Sequence, residues 1–295
     1  MMHSIIFPVL VSGALKTRRI VAKWLMALVV TTVTCGGADA KELPKWELGF
    51  GVFGMRLPDY RGSDEYRNYL FPLPYLVYRG ERLQVDRRGA SRLLFESKRA
   101  EIDISLGVTN PVNSSRNRAR EGMPNLDPTV ELGPRLRLII LERPSGGAKV
   151  TFELPVRAVF SVDFSDPGHN GWITNPLLNL DVRNVRGSGW NIGGQFGPVF
   201  GDRRYHASFY GVDPAFTRAD RPAYEARSGY SGTHVSMALS KRFASTWVGG
   251  FVRAYSLHGA SFEDSPLVRT RSALMLGVGI AYVFAVSDTK VDTDE

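Results

Sequence analysis

The amino-acid sequence predicts an all-β protein, a transmembrane antiparallel β-barrel of about twelve strands, within a range of roughly 10–14. Three observations point there. In "TVELGPRLRLII" (129–140), Thr129, Glu131, Gly133, Arg135 and Arg137 hold the odd positions, and Val130, Leu132, Pro134, Leu136, Leu138 and Ile140 hold the even ones. Alternation of period two marks a strand with one polar and one apolar face. At ~3.3 Å per residue this strand runs about 35–40 Å, well past an ordinary globular strand. The second observation is that the pattern recurs down the chain after Lys41, with no apolar run long enough for a membrane helix. The third is an export signature at the N-terminus.

That signature occupies residues 1–40. Lys16, Arg18, Arg19 and Lys23 precede the apolar run from Trp24 to Val33, and "ADA" at 38–40 places small residues at both cleavage-determining positions. A basic region, a short apolar core and an A-x-A site predict a secretory signal peptide cut after Ala40. The apolar run is too short to span a bilayer as a helix, and Thr34 makes a poor lipobox before Cys35. Cleavage removes Cys35, the one cysteine of the chain, and takes four Lys/Arg and one Asp from a net charge of +8. The remaining mild basicity, without a basic stripe or motif, gives no reason to expect nucleic acid.

The barrel is predicted over 41–284. In 46–52, Trp46, Leu48, Phe50 and Val52 share a face, and in 101–108 Ile102, Ile104, Leu106 and Val108 oppose Glu101, Asp103 and Ser105. After 129–140 comes 150–160, where Val150, Phe152, Leu154, Val156, Ala158 and Phe160 oppose Thr151, Glu153 and Arg157. In 177–183, Leu178, Leu180 and Val182 oppose Asn179, Asp181 and Arg183. In 274–284, Leu274, Leu276, Val278, Ile280, Tyr282 and Phe284 oppose Met275, glycines and Ala281. Weaker runs at 70–79, 82–87, 91–96, 190–199, 203–210, 233–241 and 246–257 bring the candidates to about thirteen, so 82–96 or 203–230 holds a surplus in an even-numbered barrel. Turn-formers such as "RPSGG" (143–147), "SDPGHNG" (165–171) and "RGSG" (186–189) separate them. Pro72, Pro74, Pro134 and Pro155 each forfeit a ladder hydrogen bond.

One-sided strands suit a soluble sandwich or a membrane barrel. Strand length, export and the aromatics at strand ends (Trp46, Tyr75, Tyr78, Trp172, Trp190, Tyr282, Phe284) favour the barrel, where such rings form an interfacial girdle. The apolar face then meets lipid. Glu131, Arg135, Arg137, Glu153, Arg157, Asp181 and Arg183 become lumen charges, either a selectivity lining or a plug of paired side chains. Gly279, Tyr282 and Phe284 have the spacing of a C-terminal signal read by the barrel-assembly machinery, and 285–295 follows as a short acidic tail, expected to be disordered.

The chain resembles the MltA-interacting protein (MipA)/OmpV family of Gram-negative outer-membrane proteins. The resemblance rests on "DYRGSDEY" (59–66), with Arg61 where proline is usual, "PLPYLVYRG" (72–80), "GMPNLDPTVELGPRL" (122–136), "FYGV" (209–212), "SPLV" (265–268) and "GIAYVF" (279–284). It implies an outer-membrane location and a non-catalytic scaffold role in peptidoglycan biosynthesis, linking a lytic transglycosylase to a penicillin-binding protein. A narrow solute channel and a surface adhesin are the alternatives. In the first block, Tyr60, Gly62, Ser63, Asp64 and Tyr66 form a candidate loop contact motif, or order the loop by an Asx-turn and ring packing. If 113–121 is an external loop, its Arg116, Arg118 and Arg120 suit lipopolysaccharide phosphates; the alternative is a solvated loop.

No enzyme is expected. His169, His206, His234 and His258 are dispersed, with no metal-ligand spacing, and no serine stands out as a nucleophile. Neither cofactor nor metal is implied.

Overall fold

The computed structural model describes residues 43–80, 83–86, 89–97, 99–143, 147–162 and 168–291. The predicted signal peptide lies outside them. In chain order the elements are β1 (Leu43–Pro44), β2 (Trp46–Pro58), β3 (Tyr66–Arg79), β4 (Leu83–Asp86), β5 (Gly89–Glu96), β6 (Ala100–Thr109), β7 (Thr129–Glu142) and β8 (Ala148–Ser161). Then follow β9 (His169–Thr174), β10 (Leu177–Val182), β11 (Trp190–Gly201), the helix α1 (Arg203–Tyr210), β12 (Gly229–Phe243), β13 (Thr246–Ser256), β14 (Ser272–Val286) and β15 (Lys290–Val291).

From β2 to β14, neighbours in sequence pair antiparallel except β9 with β10, and β14 pairs with β2 from Leu276↔Arg56 to Val286↔Glu47, which closes the wall. Both β9 and β10 pair with β8 on one side and β11 on the other, so they are two halves of one wall strand. Pro176, which has no N–H for a ladder, stands in the break between them. The described residues therefore form a sheet of 12 strands. Closure removes the sheet edges that lipid cannot tolerate, except along the upper part of β3, which β4 meets only at Tyr78 and Arg79.

Two sequence expectations are corrected. Residues 203–210 form a helix, not a strand. Asp202 accepts from the Tyr205 N–H (2.7 Å) as N-cap, and Tyr205 packs on Phe209 with ring centroids 5.2 Å apart. Residues four apart share a face in both a strand and a helix, so the spacing of Tyr205 and Phe209 does not discriminate. The last three residues of "SDPGHNG", expected as a turn, instead open β9, where His169 pairs with Phe160 on β8.

The apolar face points outward. Leu132 (43% exposed), Ile140 (59%), Val278 (69%), Tyr282 (59%) and Phe284 (64%) lie on the outer surface, while Glu131, Asp103 and Glu153 on the opposite faces are buried. One predicted girdle ring departs from this pattern. Tyr75 is buried inside the wall against Trp247, with centroids 5.9 Å apart.

The two ends of the barrel differ. Short turns join β5 to β6, β7 to β8 and β12 to β13, whereas 59–65, 110–128, 202–228 and 257–271 are long connections at the opposite end. In outer-membrane barrels short turns are periplasmic and long loops external. The first and last described strands, β1 and β15, lie on the short-turn side. There the expected free tail is partly ordered: residues 285–286 extend β14, and β15 pairs with β1 through Leu43↔Val291 and Pro44↔Lys290. Lys45 N–H donates to Thr289 O (2.9 Å) and Ser287 N–H to Trp46 O (2.9 Å), so backbone pairing holds the segment that composition alone made look free.

Candidate functional site in the lumen and loop cap

Along β6, β7 and β8 the inward positions carry charge. Arg135 aims Nε and Nη2 at the two oxygens of Asp103 (2.9 and 2.5 Å) and Nη1 at Glu153 (3.2 Å). Arg137 donates to Glu101 (2.8 Å) and Glu153 (3.1 Å), and Arg157 donates to Glu131 (3.3 Å) and Ser105 (2.9 Å). Three cations thus face four carboxylates. The Asp103 and Glu153 side chains are only 4% and 9% exposed, so each charge depends on its partner for solvation. Registers Asp103↔Arg135 and Arg137↔Glu153 set the pairs directly opposite each other.

Five of the predicted lumen charges (Glu131, Arg135, Arg137, Glu153 and Arg157) meet in this lattice. The other two do not. Asp181 sits opposite Lys149, and the Arg183 N–H donates to Gly147 O (3.0 Å), which places both near the short turns. Glu101 and Asp103 had been read as a polar strand face and belong to the lattice.

The facing wall is of another kind. On β13, β14, β2 and β3 the inward side carries Trp247, Phe251, Phe53, Tyr75 and Val77 beside Ala281 and Val283. Glycines make room for the rings. A Cβ on Gly279 would lie 2.4 Å from the Phe53 ring, and one on Gly277 would lie 2.3 Å from Phe251. Gly279 of the predicted assembly signal therefore faces inward under an aromatic ring, while Tyr282 and Phe284 face out.

The long loops fold into a cap with its own core of Tyr60, Val112, Leu126, Tyr210, Leu257 and Phe262, in which Tyr210 stacks on Phe262 at 3.6 Å. The "DYRGSDEY" block anchors it. Tyr60 OH donates to Leu267 O (2.7 Å), Asn117 Nδ2 donates to Asp59 (2.9 Å) and Ser63 (3.1 Å), and the Arg269 N–H donates to Gly62 O (2.7 Å). Gly62 has φ +104°, a conformation side chains resist. Burial pushes the Tyr60 hydroxyl pKa above the ordinary tyrosine value. Within the candidate contact motif, Tyr60, Gly62 and Ser63 are buried in the cap. Asp64 stays on the surface beside Arg118 (3.2 Å), and Tyr66 OH accepts from the Leu274 N–H (3.2 Å).

Of the three loop arginines, Arg120 is buried and donates to Phe209 O (2.9 Å), so it holds the cap. Arg116 and Arg118 are exposed. An open bowl of about 690 Å³ on the cap is lined by Asp64, Arg118, Glu121, Arg218, Asp220 and Arg269, whose charges largely pair with one another.

The fold gives one histidine a serine partner that spacing did not reveal. His206 Nδ1–H donates to Arg227 O (2.5 Å), and Nε2 accepts from Ser231 Oγ (2.6 Å). Both side chains are fully buried, with Phe262 on the ring at 4.7 Å. Burial lowers the His206 pKa, and the neutral ring serves as a cross-brace of the cap. His169 packs between Phe160 and Trp172, His234 against Tyr255, and His258 is exposed near Glu263. Among the described residues no cluster of His, Cys, Asp or Glu has metal-binding geometry.

A closed 12-strand sheet with an apolar exterior, a polar lumen and long loops at one end defines an outer-membrane β-barrel. The family model described as MltA-interacting protein MipA matches residues 49–284, and the chain belongs to that family of the outer membrane. No curated protein matches the chain. Similar solved structures include an outer membrane channel from Pseudomonas putida F1, with a TM-score of 0.45 and 14% identity over 84% of this chain and 99% of that one. The NanC porin has a TM-score of 0.39 and 10% identity over 79% and 98%. Outer membrane phospholipase A from Escherichia coli has a TM-score of 0.31 and 11% identity over 81% and 94%.

Proposed function

We propose that this barrel is a non-catalytic scaffold that links a murein hydrolase to a murein synthase at the outer membrane. Membership of a family described by its interaction with MltA carries the reading. The ribbon of β1 and β15 supports it, because it stands on the short-turn side, where a periplasmic partner would dock. The sealed His206–Ser231 pair supports the non-catalytic part, since no substrate reaches groups that are fully buried.

In-cell crosslinking from the periplasmic side, followed by mass spectrometry of the purified barrel, tests this. A lytic transglycosylase or penicillin-binding protein recovered above a control barrel, and lost on deletion of residues 287–295, is the expected result. Recovery of lipids and assembly chaperones alone would refute it.

The inward charges of β6 to β8 favour a second reading, a narrow solute channel. Replacing Glu131, Arg135, Glu153 or Arg157 would then alter single-channel conductance across planar bilayers. An adhesin would respond only to changes in the external loops.

A further inference from the structure

The wall is not equally tall all round. β4 covers only the foot of β3, through Tyr78↔Val85 and Arg79↔Gln84, and the hairpin then turns back at Asp86↔Gly89. On its far side the highest pairing of β5 with β6 is Ser91↔Ser105. Above that point, among the described residues, no strand lies between β3 from Tyr66 to Pro74 and β6 from Leu106 to Thr109. The open edge of β3 runs for about 27 Å of strand at ~3.4 Å per residue. A bare sheet edge in hydrocarbon leaves donors unsatisfied at several kcal/mol each.

The sequence of β3 answers that problem. Arg79 N–H donates to Lys45 O on the β2 side (2.8 Å), and the β2–β3 register is unbroken, so odd-numbered residues of β3 aim their N–H groups at β2. Even-numbered residues aim theirs at the open edge. Pro72 and Pro74 are even, so their missing donors fall on that edge and the ladder with β2 loses nothing. Two prolines there also resist addition of a further strand, which argues against a second copy pairing with this edge.

Both faces beside the edge are apolar. Leu70 is 73% exposed on the outer face. On the inner face Tyr69 and Phe71 stack with centroids 5.6 Å apart, and Leu73 is 43% exposed although it points inward opposite Gly51. The cap core gathers the long loops at that end of the barrel, and Arg67, held by Asp59 (3.0 Å), also donates to Arg116 O, tying β3 to the loop over the opening. The Arg116 side chain is exposed at that rim, where a phosphate headgroup would meet it.

We infer that the gap between β3 and β6 is a lateral portal through which an acyl chain of a phosphate-bearing membrane lipid enters the lumen against Tyr69, Phe71 and Leu73. The headgroup stays outside, near Arg116. This portal is independent of the scaffold role.

The test uses the full mature barrel in phosphatidylglycerol bilayers, with a photocrosslinking amino acid in place of Leu73, Leu70 (outer face) or Ser236 (inner face of β12). Each variant is first checked for the folded form by heat-modifiable gel mobility. A lipid adduct at Leu73 in a yield comparable to that at Leu70, and several-fold above Ser236, is expected. Adducts at Leu70 alone, or an adduct of a second barrel at Leu73, would overturn the portal. Native mass spectrometry of the unsubstituted barrel gives an independent readout: retained phosphatidylglycerol that falls several-fold in Phe71→Ser supports the portal, and equal retention by both overturns it.

Discussion

On β6, β7 and β8 the inward positions hold charges paired at 2.5–3.3 Å, whereas on β13, β14, β2 and β3 they hold rings seated over glycines. Both walls line the lumen with side chains of the strands themselves, but they fail differently. The aromatic wall depends on shape, so one added methyl group has nowhere to go. The charged wall depends on partnership, so losing one member strands another in a place that water reaches poorly.

The largest expected effect comes from Gly279→Leu, whose Cβ alone would lie 2.4 Å from the Phe53 ring. Overpacking of this severity costs about 3 kcal/mol or more. Heat-modifiable gel mobility should show most of the protein unfolded, and adding Phe53→Ala should recover part of it. A fully folded single variant would remove shape as the organising feature of that wall. Next comes Arg135→Ala, which leaves Asp103 and Glu153 without their shared cation and should destabilise the barrel by about 3 kcal/mol in urea unfolding from vesicles. Asn at Asp103 in the same background should restore part of the loss.

The cap offers a smaller, pH-dependent effect. Burial holds the His206 pKa below its value in the unfolded chain. As pH falls through the unfolded value of about 6.5, the unfolded state binds a proton that the folded state does not. Stability of the cap therefore declines on acidification below about 6.5 and is fully present above it. Protection of residues 203–231 against hydrogen exchange, relative to the intrinsic rate at each pH, should fall between neutral pH and pH 5, and His206→Asn should flatten that dependence. The smallest effect belongs to Arg203 and Glu225, paired at 2.9 Å but both largely exposed. Glu225→Gln should shift stability by less than about 0.5 kcal/mol in the same urea assay.

Much of the wall was legible because a lipid-facing strand alternates without interruption. Residues 129–140 show this best, with Leu132 and Ile140 exposed and Glu131 buried. The charged lattice was half legible. Residue type put Glu131, Arg135, Arg137, Glu153 and Arg157 inside, but the partners Asp103 and Glu101 depend on register with β6, which no local pattern encodes. The aromatic wall was not legible, because inward rings such as Tyr75 and Phe53 stand beside outward apolar residues and erase the alternation. Neither was the cap. Its core joins Tyr60 to Leu267 O and Arg120 to Phe209 O, contacts between loops far apart in sequence. The helix at 203–210 was missed because its ring spacing also fits a strand.

The measurement that bears most directly on the lumen is a double-mutant cycle of Asp103→Asn and Arg135→Met, read by urea unfolding of the barrel in vesicles. A lattice of mutually dependent charges predicts a coupling of about 1–3 kcal/mol. A coupling near zero would mean that the two groups are independently solvated, and a lumen held shut on that side by its own ion pairs would be contradicted.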